Sequence, residues 1–136
     1  MDGMQMALPI ESEKITINLG VVDLGQIDLL AREGFYSNRT DFIRTAIRNQ
    51  LAVHAEVVKQ TVARRTLVLG LKHFSKSDLE AARDAGQKLE IKVLGLASIA
   101  KDVSPELARE AIGSLTVLGA LQASPAVKAA LADRIS

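Results

Sequence analysis

The chain has 136 residues, enough for one domain or two small ones, and 48% hydrophobic with 24% charged is the balance of a globular protein. The absence of cysteine excludes disulfides, thiolate nucleophiles and cysteine metal sites together. With a net charge of +1, any affinity for an anionic partner must come from the placement of a few groups and not from a basic excess.

Residues 1–12 have neither the basic start nor the long apolar run of a signal peptide, and read as a flexible arm. No later stretch is long and apolar enough to span a membrane, so no membrane partner is expected and the cytoplasm is the expected location. From Lys14 to Leu19 the side chains alternate strictly: Lys14, Thr16 and Asn18 on one face, Ile15, Ile17 and Leu19 on the other. That is the period of a half-buried strand. Val22 to Glu33 and Arg39 to Leu51 both read as helix, so the strand has no neighbour close by and its backbone groups lack partners. The same strand from a second copy, antiparallel across a two-fold axis, repairs this and makes a dimer part of the fold.

Gly20 permits a turn and Asp23 is the expected cap of the first helix, whose Leu24, Ile27, Leu30 and Ala31 fall on one stripe. Gly34 is placed to stop it in a left-handed conformation, and Phe35 and Tyr36 bring the chain back over the core. Asn38 is the expected N-cap of the second helix, with Asp41 three residues on in a near capping box. A helix start of this kind has free amides that hold a phosphate, and Arg39 in its first turn adds a full charge. Phe42, Ile43, Ala46, Ile47 and Leu51 follow helical spacing and are expected in the core, with Arg44 and Arg48 on a solvated basic face.

The alternating strand, the segment from Gly34 to Arg48 and the distance between them closely resemble the ribbon-helix-helix DNA-binding proteins of the CopG/Arc/MetJ superfamily, over about 40 residues. The resemblance implies an intertwined homodimer whose paired strands lie in the major groove of double-stranded DNA. It gives base contact to Lys14, Thr16 and Asn18, whose side chains suit guanine, adenine and thymine edges. It gives the phosphate backbone to Asn38, Arg39 and Thr40. Ile15, Ile17, Leu19, Leu24, Ile27, Leu30, Phe42, Ile43, Ala46, Ile47 and Leu51 become the dimer core. Nickel-responsive relatives carry histidine and cysteine ligands in a C-terminal domain, and this sequence lacks them, so metal sensing is disfavoured.

Nothing between Leu51 and Arg65 is Gly or Pro, so the helical pattern runs on as a long second helix or helical linker. Beyond Arg65 the chain repeats itself: Val-Leu-Gly recurs with glycines at 70, 95 and 119, intervals of 25 and 24 residues. Each triplet precedes a helix start, at Ser77-Asp78, Ser104-Pro105 and Ser124-Pro125, with Gly86 and Gly113 as expected stops and the triplet glycines as expected turns. Strand, helix, strand at this spacing requires parallel strands with right-handed crossovers and helices on one face. The pattern resembles a short α/β solenoid whose open edges and second face need cover, which self-association supplies.

His54 and His73 have no ligand-spaced neighbour in the sequence, and no catalytic grouping, metal site or cofactor is expected. The expected fold is therefore an α+β ribbon-helix-helix over residues 13–53, a helical linker over 54–65, and an α/β domain of three strand–turn–helix repeats over 66–136. The expected function is a non-enzymatic, sequence-specific transcriptional regulator, a repressor, that oligomerises through its repeats. The alternatives are the antitoxin of a toxin–antitoxin pair, with a protein partner, and a self-assembling scaffold that reads no DNA sequence.

Overall fold

The structure, a computed structural model, describes residues 12–136, and these divide into two compact units, 12–61 and 62–136. The first unit carries α1 (Val21–Arg32) and α2 (Arg39–Val53), and α3 (Ala55–Arg65) begins in it. Helix α1 starts two residues before the expected cap: Gly20 is the N-cap without a side-chain bond, and Asp23 lies in the first turn, where its charge still favours the helix dipole. Gly34, at φ +88°, ends the helix as expected. The Gly34 amide donates to Ala31 O at 3.2 Å and the Phe35 amide to Leu30 O at 3.0 Å, the paired bonds of a Schellman motif. The helical run after Leu51 is interrupted at His54 and resumes in α3. Thr66 stops that helix at φ +52°, a conformation that strains a β-branched residue.

The second unit alternates strand and helix: β1 (Val68–Phe74), α4 (Lys76–Asp84), β2 (Leu89–Ile99), α5 (Pro105–Ala111), β3 (Ile112–Gln122) and α6 (Pro125–Ala130), closed by a short 3-10 turn over Ala132–Arg134. The strands form one parallel sheet in the order β1-β2-β3, as the repeat predicts. All three helices pack on one face. Leu79 and Ala82 of α4, Leu107, Ala108 and Ala111 of α5, and Val127 of α6 share a core with Ile91, Val93, Ala97, Ile99, Ile112 and Leu115.

Each helix opens on a serine whose hydroxyl accepts the amide three residues on. Ser104 takes Leu107 N at 3.1 Å and Ser124 takes Val127 N at 3.2 Å, each followed by proline in the first turn. In the first repeat the cap is Ser75 and not Ser77, because Asp78 then stands at the third helical position and closes a capping box: Asp78 N donates to Ser75 Oγ and Ser75 N to Asp78 Oδ2 at 2.9 Å. The Ser75 amide, and after it the Ser75 hydroxyl, hold the Asp78 carboxyl below the usual carboxylate range. Gly86 stops α4 at φ +71°. Gly113 stops nothing: α5 passes directly into β3 at Ile112, and Gly113 is the extra residue of a bulge that shifts the register from Leu89↔Ile112 to Glu90↔Ser114.

The Val-Leu-Gly glycines are not turns either. Gly70, Gly95 and Gly119 lie inside the strands and face one another across the sheet. Their φ angles of +120°, +138° and +121° belong to glycine alone. A Cβ on Gly95 would run into the carbonyl of Gly70, and one on Gly119 into that of Gly95, so the ladder lets three backbones approach where no side chain fits. Gly70, at the edge, would meet nothing within 4 Å. Gly95→Ala and Gly119→Ala should therefore each lower the thermal midpoint of the C-terminal unit more than Gly70→Ala, which costs only backbone strain of about 1–3 kcal/mol. Equal losses at all three sites in calorimetry would contradict the close-approach explanation.

Candidate nucleic-acid interface

Residues 12–20 form neither helix nor strand within the single chain, so the expected strand has no ladder here. One chain contains no second ribbon with which to pair it. Lys14, Thr16 and Asn18 are exposed, and so are the alternate apolar residues: Ile15 is 74% and Ile17 58% accessible. The same holds along the helices. Ile27 is the one buried residue among the described residues of 12–61, while Leu24, Leu30, Phe42 and Ile43 are half-buried and Ala46, Ile47 and Leu51 exposed. An apolar groove lined by Ile27, Leu30 and Phe42 stays open between α1 and α2, and Phe42 also meets Tyr36 edge to face, the rings 5.0 Å apart at 82°.

The start of α2 is built from short polar side chains. Asn38 Oδ1 accepts the Asp41 amide at 2.8 Å, as its position predicts, but the return bond from Asp41 goes one residue further back, to the Ser37 amide at 2.9 Å. The shorter aspartate reaches the residue that the chain folds nearest to it. Two amides, those of Arg39 and Thr40, then remain at the helix end without an intrahelical acceptor. Arg39 does not point its charge freely at that end. Its Nε and a terminal nitrogen grip Asp28 of α1 at 2.8 and 2.9 Å, a bidentate pair that ties the two helices together.

Arg44 and Arg48, expected on a solvated face, join this end of α2. With Ser37, Asn38, Thr40 and Thr45 they line one shallow groove, since positions four apart on a helix stack above its first turn. The periodicity that placed them together was legible; the groove was not. Asp41 also lines it and sets a negative charge beside the arginines. Of the other polar residues noted in the sequence, His54 lies 3.2 Å from Gln50 across one helical turn and His73 Nδ1 lies 2.6 Å from Ser98 Oγ. Among the described residues no three His, Cys, Asp or Glu side chains gather as metal ligands, and no helix is long and apolar enough to cross a membrane.

A family model described as the ribbon-helix-helix transcriptional regulator family matches residues 10–128. The chain belongs to that family. The match covers more than the N-terminal 40 residues that carried the resemblance: it runs through all three strands and into α6. Regulators of this family generally bind DNA and form dimers. Comparison with curated proteins and comparison with solved structures each gave no match.

The Asp28–Arg39 pair offers a direct check of the α1–α2 junction. The Arg39 guanidinium, through its hydrogen bonds and then its charge, holds the Asp28 carboxyl below the usual carboxylate range. A carboxyl lowered on folding stabilises above its unfolded pKa of about 3.9 and loses that contribution as pH falls through the folded value. Both groups are exposed, so salt screens the effect. In Arg39→Gln the Asp28 carboxyl should titrate at its ordinary value by carbonyl chemical shift; an unchanged midpoint would contradict the pairing.

Proposed function

We propose that this protein is a homodimeric, sequence-specific DNA-binding regulator, a repressor, that reads the major groove with an antiparallel ribbon formed by residues 14–19 of two chains. The observation that carries the reading is the bare apolar face of the N-terminal unit. Ile15, Ile17, Leu19, Ile47 and Leu51, which belong to the core a dimer of this kind would bury, are all left in water by the single chain. Pairing two ribbons covers Ile15, Ile17 and Leu19 and sends Lys14, Thr16 and Asn18 outward together, three residues per chain with the donors and acceptors that base edges require.

The phosphate contacts follow from the start of α2. The free Arg39 and Thr40 amides and the helix dipole hold a phosphate oxygen, with Asn38 fixing the cap and Arg44 and Arg48 supplying the charge that Arg39 spends on Asp28. The C-terminal unit joins dimers, which raises the effective concentration of one ribbon for its half-site once another is bound. A folded, capped C-terminal unit differs from the disordered segment with which antitoxins commonly wrap a toxin.

Two sets of substitutions separate reading from holding. Lys14→Ala, Thr16→Ala and Asn18→Ala should each lose discrimination at one base step, about 1–3 kcal/mol, with the dimer intact. Arg44→Ala and Arg48→Ala should weaken binding to all duplexes alike and lower the salt dependence by about one phosphate each. Selection from random duplexes followed by titration at several salt concentrations gives both readings. An unselected pool, with the three ribbon variants binding as the parent does, would favour a scaffold that reads no sequence.

A further inference from the structure

The sheet has helices on one face only, and its other face is apolar in the middle. Residues alternate about the glycine ladder so that Leu69, Leu94 and Leu118 form one row across the three strands and Leu71, Leu96 and Ala120 the next. Leu69, Leu71 and Leu118 are 67%, 61% and 44% accessible, while Leu96, in the centre, is buried. The His73–Ser98 bond between adjacent strands shows that the next row also stands on this face. Parallel sheets occur with both faces covered, because their strands are apolar on both sides. Among the described residues this sheet lacks its second cover.

We infer that the cover is the same face of a second copy of this chain, packed sheet against sheet and joining one ribbon dimer to another. The inference rests on the dimer proposed above for the N-terminal unit. Three features of the face select its own kind. The rows beside the leucines carry no net charge: Lys92 lies 3.9 Å from Glu90 at one end, and His73, Ser98 and Gln122 stand at the other. Such a face neither repels a copy of itself nor offers the cationic excess that nucleic acid or an anionic bilayer requires. The rows are also self-complementary. A two-fold axis in the interface, running across the strands between the two rows, lays each copy's exposed Leu118 over the small Ala120 of the other, and Leu69 and Leu94 over Leu71 and Leu96. Finally, each ribbon dimer carries two such faces, so once one face meets its mate the second pairing is intramolecular.

Sedimentation of the full chain and of two variants tests this: Leu69→Asp with Leu71→Asp, and separately Leu118→Lys. These leucines are exposed, so helix content and unfolding midpoint serve as controls for the fold. The expected result is that the parent's mass is at least twice that of each variant, with the variants dimeric and their preference among selected duplexes unchanged. Ribbon variants Lys14→Ala, Thr16→Ala and Asn18→Ala should keep the parent's mass. A dimeric parent that the leucine variants convert to monomer would uphold the sheet pairing and overturn the ribbon dimer. A parent whose mass neither leucine variant changes would overturn the sheet pairing, whatever the ribbon does.

Discussion

An apolar side chain that one copy of the chain cannot bury finds its partner elsewhere, and the N-terminal unit exposes many such side chains. A fully buried aliphatic side chain contributes about 1.5–3 kcal/mol, and ordering each residue's backbone costs about 1–2 kcal/mol. With Ile27 as the one buried residue among the described part of that unit, tertiary burial within a single chain cannot hold α1, α2 and an extended 14–19 segment in place. The Schellman stop at Gly34, the Asn38 cap and the Arg39–Asp28 pair set the angle between the two helices, but all three are exposed and none supplies a core. They pre-shape a surface that burial against a second chain would then fix.

The C-terminal unit is the opposite case. Its repeats bury apolar side chains from every strand and helix, its three serine caps close each helix start, and its last residues are tied down by Arg109 and Arg134. Arg134 donates to the carbonyls of Arg109 and Ile112, and Arg109 to Asp133 at 2.8 Å, so the carbonyls at the end of α5 are satisfied by side chains from the final turn. Such a unit has a core of its own. Among the described residues its weak points are the leucine face without a cover and the unpaired edge of β1.

The parts legible in the sequence were those with a local cause. Helical spacing, capping residues and the Val-Leu-Gly period gave the helices and the parallel sheet, because each follows from residues close in the chain or from their repetition. Ser75 was passed over for Ser77, since a serine and an aspartate in sequence look like a cap wherever the strand happens to end. The glycines were read as turns because a glycine after an apolar run usually is one; only contact with the neighbouring strand shows that they relieve a backbone clash. At the candidate site the same division holds. Asn38 was a cap from its spacing alone, whereas the capture of Arg39 by Asp28, eleven residues earlier, depends on how two helices cross.

Amide hydrogen exchange across residues 14–19 in the intact protein bears most directly on the central claim, that two chains complete one another through this segment. If the ribbon forms between copies, alternate amides of the segment are protected at concentrations that sustain the dimer and lose protection together on dilution. Amides that exchange at the rate of an unstructured peptide at every concentration would contradict it.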